Sequence, residues 1–235
     1  MGNLAAAEGR AERAATFYRE TTERFPQHAT SQFAYFNLAK TLYRDRELDQ
    51  AMENFYHVVD SRRGTQLEPL AHLYLGRIYF DQGNAKRAKQ ELSRGLALAT
   101  VPELLAAGAM TLASAYLIEA KPGAAGSANA ILLEHRDAFR DGQFSQEAIF
   151  LSALTRFRAA IHPDDQRRRG RELLAAAIRV EPSQFFGDFG YLLLGDAFAD
   201  MNLTDDAVNW YSQGVEQPLA EPMRHRVMFR LAQEY

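Results

Sequence analysis

The chain has 235 residues, 47% of them hydrophobic and 24% charged, enough apolar surface for a continuous helical core. Its formal net charge of −3 argues against a nucleic-acid ligand held by phosphate neutralisation, and zero cysteines exclude a disulfide framework or a thiol-based metal or redox centre. No apolar run reaches the length of a membrane span, so direct membrane insertion is not expected, and the N-terminus lacks the basic start and apolar core of a signal peptide.

Taken in order, residues 2–7 read as the tail of a helix, Glu8-Gly9-Arg10 as a turn, and 11–25 as a second helix closed by Pro26. A first helix over 31–44 and a second over 48–61 flank a turn at Arg46-Glu47; Arg62-Arg63-Gly64-Thr65 is a loop with Gly64 free to take a positive φ. Residues 70–95 hold the best-defined pair. Leu75, Gly76 and Tyr79 share one helical face, with Gly76 where another helix can approach closely. Gly83 then suits the C-terminal cap, Asn84 the next N-cap, and Ala88 and Leu92 form a stripe that leans back on the first helix.

Pro102 opens a helix to about residue 119, ended by Lys121-Pro122-Gly123. The small residues of 123–129 (GAAGSAN) lack the lysine and spacing of a phosphate loop and fit a place where two helices touch. A turn at Arg140-Asp141-Gly142-Gln143, a helix over 144–161, a loop at 162–165 and a helix over 166–180 follow. A clean pair returns over 190–200 and 205–214, with Thr204 as its cap, before a lone first helix over 221–235. The count is about 13 helices. Because the chain opens and closes inside a pair, the expectation is a segment excised from a longer repeat protein whose targeting signals lie elsewhere.

The pairs keep a common period. Ala39, Gly76 and Ala113 lie 37 residues apart, each followed three residues later by Leu42, Tyr79 or Tyr116, and Gly195/Phe198 and Ala232/Tyr235 repeat the spacing. In the second helices Ala14, Ala51 and Ala88 keep step with Tyr18, Phe55 and Leu92 four residues on, as do Ala207 and Tyr211. Leu-Gly-x-x-Tyr, a Gly turn, Ala-x-x-x-Phe/Tyr and a closing Pro (Pro26, Pro182) resemble the tetratricopeptide repeat. The resemblance implies an all-α, right-handed superhelical α-solenoid over 1–235, with clear repeats at 1–98 and 183–235 and degenerate, lengthened ones at 102–182. It departs from the family norm by about three residues per repeat.

Chemistry is sparse. The six histidines are scattered, without H-E-x-x-H or ligand spacing, and no G-x-S-x-G elbow occurs. His162-Pro163-Asp164-Asp165 reads as a turn whose aspartates cap the next helix, and Asp205-Asp206 as first-turn residues favoured by the helix dipole. Arg167-Arg168-Arg169 and Arg171, with Arg156, Arg158 and Arg179 nearby, form the densest basic stretch; a solvated face explains them, and an acidic partner is the sharper alternative. Neither an enzyme, nor a cofactor, nor a metal site is expected.

The resemblance therefore implies a protein-interaction scaffold that holds a peptide or partner helix in the concave groove lined by first helices. The alternative is a structural spacer or oligomerisation module whose groove is filled by the chain itself. Groove candidates are Phe33, Phe36, Lys40 and Tyr43 from one repeat, Leu73, Arg77 and Phe80 (with Leu70) from the next, and Phe189 and Leu192 near the C-terminus. Leu70 and Leu73 are expected to pack between first helices, Phe36 and Phe80 to be exposed, and Arg77 to meet an anion. The Lys/Asn carboxylate clamp of chaperone-binding members is absent. The Phe-Pro repeat close resembles bacterial envelope scaffolds, which points to the periplasm or cell envelope ahead of the cytoplasm.

Overall fold

The computed structural model describes residues 11–26, 28, 30–61, 66–140, 142, 144–181, 187–219 and 221–234. The expected helix over 2–7, the loop around Gly64, Pro182 and Tyr235 lie outside the described residues. Among those described there are twelve α-helices, one 3-10 turn and no strand. They are α1 (Ala11–Arg24), α2 (Ser31–Arg44), α3 (Leu48–Val59), α4 (Glu68–Asp81), α5 (Ala85–Leu98) and α6 (Pro102–Glu119). Then come α7 (Ala124–Glu134), α8 (Ser145–Arg158), α9 (Pro163–Ala177), α10 (Gly187–Asp200), α11 (Thr204–Val215) and α12 (Glu221–Gln233). The 3-10 turn spans Arg136–Phe139.

Each first helix packs most extensively on the second helix of its own pair: α2 on α3, α4 on α5, α6 on α7, α8 on α9, α10 on α11. The result is an α-solenoid of stacked helix-turn-helix units. Small residues set the close approach. A Cβ at Gly76 would stand 2.6 Å from Leu92 Cγ, and one at Gly195 would run into the Tyr211 ring, so the glycine and the second-helix residue meet in both pairs. Gly83 takes φ +78 after α4, and the Asn84 side chain accepts the Arg87 backbone N–H at 3.2 Å, as their caps require. Tyr79 ties three helices together: its hydroxyl meets Tyr56 Oη at 2.6 Å and accepts from Arg87 at 3.2 Å.

Three local expectations are corrected. Thr204 is the first residue of α11, whose N-cap is Leu203, and its side chain makes no cap bond. Helix α9 starts at Pro163, earlier than expected, because proline fits the first turn; Asp164 and Asp165 then lie inside that turn and pair with Arg167 and Arg168. In 123–129 Ala124 and Ala128 face the core, but Gly126 has open space around it rather than a second helix.

The core is in two parts that meet on α4. Leu75 and Ile78 belong to an N-terminal cluster with α1 to α3, whereas Leu73, Tyr79 and Phe80 join the cluster that runs on to Val227. Both α4 and α6 are buried nearly all round. A first helix that is apolar on every side has neighbours on every side.

Candidate functional site: the concave face

The neighbours on the inner side come from the same chain. Beyond sequential stacking, α10 packs on α6 and α12 on α4, so first helices of the C-terminal repeats reach across to those of the middle repeats. At the crossing, Phe80 meets Phe189 edge to face with centroids 5.9 Å apart, and the Arg77 guanidinium lies 5.6 Å from the centre of the Phe189 ring.

This places the expected groove residues as follows. Phe80 is 2% exposed and Phe36 6%, which corrects the expectation that both face solvent. Phe36 instead packs edge-on to Phe55 and Tyr74, at 5.7 and 6.0 Å, with Lys40 Nζ 5.9 Å from its ring centre. Arg77, Leu73, Phe189 and Leu192 are also buried; Arg77 is 6% exposed and faces the Phe189 ring rather than an open groove. Leu73 fills the space left by Gly95 and Gly108, where Cβ atoms would come within 2.8 and 2.9 Å of it. Of the expected set only Phe33, 57% exposed, and Lys40 stand out in solvent, while Tyr43 is half-buried against Tyr74.

What remains open is a cleft of about 440 Å³ between the α4–α5 turn, the C-terminal end of α6, and the inner faces of α10 and α12. Gly83 and Ile118 form part of its wall, Leu192 and Asp196 its base, and Lys121, Arg226, Phe229 and Arg230 its charged and aromatic edge. Phe229 is 62% exposed, and Arg226 has no acidic partner among the described residues. These α12 residues are not among the groove candidates expected from the sequence. The signal was there: Met223 and Val227, four apart, are the buried stripe, Arg230 continues it and reaches Asp196, and Arg226 and Phe229 flank it. The all-round apolarity of residues 102–119 likewise foreshadowed an occupied inner side.

Two carboxylates at the cleft are held by cations. Burial alone would raise the Glu119 pKa, but hydrogen bonds from Lys89 at 2.5 Å and Lys121 at 3.2 Å outweigh it and hold the carboxyl below its usual value. Asp196 runs the other way. Burial raises its pKa despite Arg230 at 3.2 Å, the Tyr211 hydroxyl donating at 2.7 Å, and Arg158 at 3.7 Å. Arg158 also donates to Asp200 at 2.7 Å and to the Leu117 carbonyl at 3.0 Å, which links α8, α10 and α6. Among the described residues no three His, Asp or Glu side chains are arranged to hold a metal ion. No described helix is long and apolar enough to cross a membrane.

Residues 3–99 match the tetratricopeptide repeat-like domain. No curated protein matches the sequence. Among solved structures, the assembly chaperone of RpL4 (Acl4) is 14% identical with a TM-score of 0.59, covering 99% of this chain and 95% of its own. A chain of the APC/C hetero-tetramer Cut9-Hcn1 is 13% identical with a TM-score of 0.58; the match covers 99% of this chain but only 41% of the other. YrrB, described as a TPR protein with an unusual peptide-binding site, is 15% identical with a TM-score of 0.50, covering 93% and 98%. Residues 3–99 therefore carry the sequence signature of the tetratricopeptide repeat-like family, and the rest of the described chain continues that family's fold.

Proposed function

We propose that this chain is a non-catalytic protein-interaction scaffold that takes a segment of a partner protein into the cleft beside α12. The observation that carries the reading is an aromatic ring exposed at the edge of a concave cleft, next to an arginine with no acidic partner among the described residues. Such an edge suits a segment with an apolar anchor and a carboxylate. Phe33 and Lys40, seven residues apart on α2 and both exposed, serve as a second contact for a long partner. The peptide-binding site of YrrB and the chaperone role of Acl4 are in keeping with this use of the fold. A photo-crosslinking residue at position 229 should capture a defined protein that the same residue at the distant, exposed Phe25 does not, and Arg226→Glu should abolish the capture. Identical products at both positions would end this reading.

The second reading is a structural or assembly module, favoured by the Phe80–Phe189 closure, which fills most of the expected groove with the chain itself. Concentration-dependent self-association, unaffected by Arg226→Glu, would support it.

A further inference from the structure

A second concavity lies at the seam between α9 and the α10–α11 turn. Among the described residues, every other second helix packs firmly on the first helix that follows it, but α9 leans on α8 and touches α10 only lightly. The seam stays open as a groove of about 460 Å³. Phe157 and Gly170 form its floor and Met201 and Leu203 its far wall. A Cβ at Gly170 would sit 3.4 Å from the ring of Phe157, itself buried, so the missing side chain is what keeps the floor low above that ring.

The near wall is a single stripe of α9. Arg167, Arg171 and Leu174 are spaced by four and three residues, which stacks them along one helical face, and Ile178 continues that line beyond the groove. Leu174 is exposed, and Ile178, just past the helix, is 70% exposed. Arg167 pairs with Asp164, whereas Arg171 has no ion pair among the described residues. Charge favours one kind of occupant. The charged residues lining the groove are Arg167, Arg171 and one carboxylate, Asp200, which Arg158 already holds at 2.7 Å.

We infer that this seam groove is a docking site for an acidic amphipathic helix of a partner protein. Its apolar side chains enter the Phe157–Gly170–Leu203 groove and its carboxylates meet Arg171 and Arg167. Helix-in-groove recognition requires this pairing of an apolar trough with a charged rim, and the cations set orientation and association rate. The inference is independent of the cleft at α12, which is lined by other residues and is read by a different experiment.

The test uses the full chain and an array of synthetic helical peptides with leucines at i, i+3 or i+4, and i+7, each made with glutamate and with lysine at the flanking positions. Fluorescence anisotropy at low and physiological salt reads the affinity. Glutamate peptides should bind, more weakly at higher salt, and their lysine twins should not. Arg171→Glu should weaken binding about tenfold or more, which corresponds to about 1.4 kcal/mol. Gly170→Trp, which fills the groove, should do the same; Leu174→Glu provides a surface variant that leaves the packing beneath intact. Circular dichroism confirms that each variant is folded. The inference is overturned if no glutamate peptide binds, if the lysine twins bind equally well, or if none of the three variants changes the affinity. It is also overturned if Gly170→Trp abolishes self-association of the wild-type chain, which would make a second copy the occupant, or if anionic vesicles bind in place of the peptides.

Discussion

At Gly76 and Gly83 one residue type does two different jobs. The Gly76 Cα lies against Leu92, where a Cβ would come 2.6 Å from Cγ, while Gly83 sits at φ +78 with only Pro222 near it, 3.7 Å from an added Cβ. Gly76→Leu must drive a whole side chain into a helix contact, an overpacking cost of about 1 to 3 kcal/mol or more. Gly83→Ala meets only backbone strain, about 1 kcal/mol. Urea melts should place the Gly76→Leu midpoint below that of Gly83→Ala; equal midpoints would contradict the packing described. Gly195→Ala should also be costly for its size, because the displaced Tyr211 ring carries a hydroxyl bonded to buried Asp196. Gly170→Ala, with 3.4 Å of clearance, should be near neutral in the same measurement.

Helix ends supply the next level of order. Glu119 closes α6, where a negative charge opposes the helix dipole, and Lys89 from α5 and Lys121 from the following loop make it favourable. Its folded pKa lies below the unfolded value, so the ionised carboxylate stabilises the fold above the ordinary glutamate range, and that contribution is lost as pH falls through the folded pKa. Glu119→Gln should therefore lower the urea midpoint at neutral pH, with the gap to wild type closing in acid. A gap that is constant with pH would mean the lysines do not act through its charge. Asp196 has the opposite sign. Its raised pKa means that stability is greatest below the ordinary aspartate range and declines as pH rises through the folded value, so Asp196→Asn should flatten that decline.

For the molecule as a whole, closure across the inner face alters how the repeats share stability. In an open solenoid each repeat depends on its immediate neighbours. Here Phe80 and Phe189 join α4 to α10, far apart in sequence, so the C-terminal repeats support the middle ones directly. Phe189→Ala should cost about 3 to 5 kcal/mol, as for other buried phenylalanines. It should also make unfolding less cooperative and enlarge the radius of gyration measured by small-angle scattering. If the variant lost stability while shape and cooperativity were unchanged, the contact would be local packing only.

The helices, their pairing and the close contacts were determined by local sequence. Gly76 with Leu92 and Gly195 with Tyr211 follow from spacing, because a helix fixes which residues share a face and a short turn leaves the second helix only one surface to cover. Caps such as Gly83 and Asn84 were legible for the same reason. Which inner-face residues stay exposed was not legible, since it depends on how small rotations between repeats accumulate until distant helices meet. Phe36, Arg77 and Phe80 have the composition of a binding surface, and the curl of the stack made them core. The tertiary structure moved the open surface to Arg226 and Phe229 on α12 and to the seam beside Arg171, where packing between successive helices ends before the apolar side chains are covered.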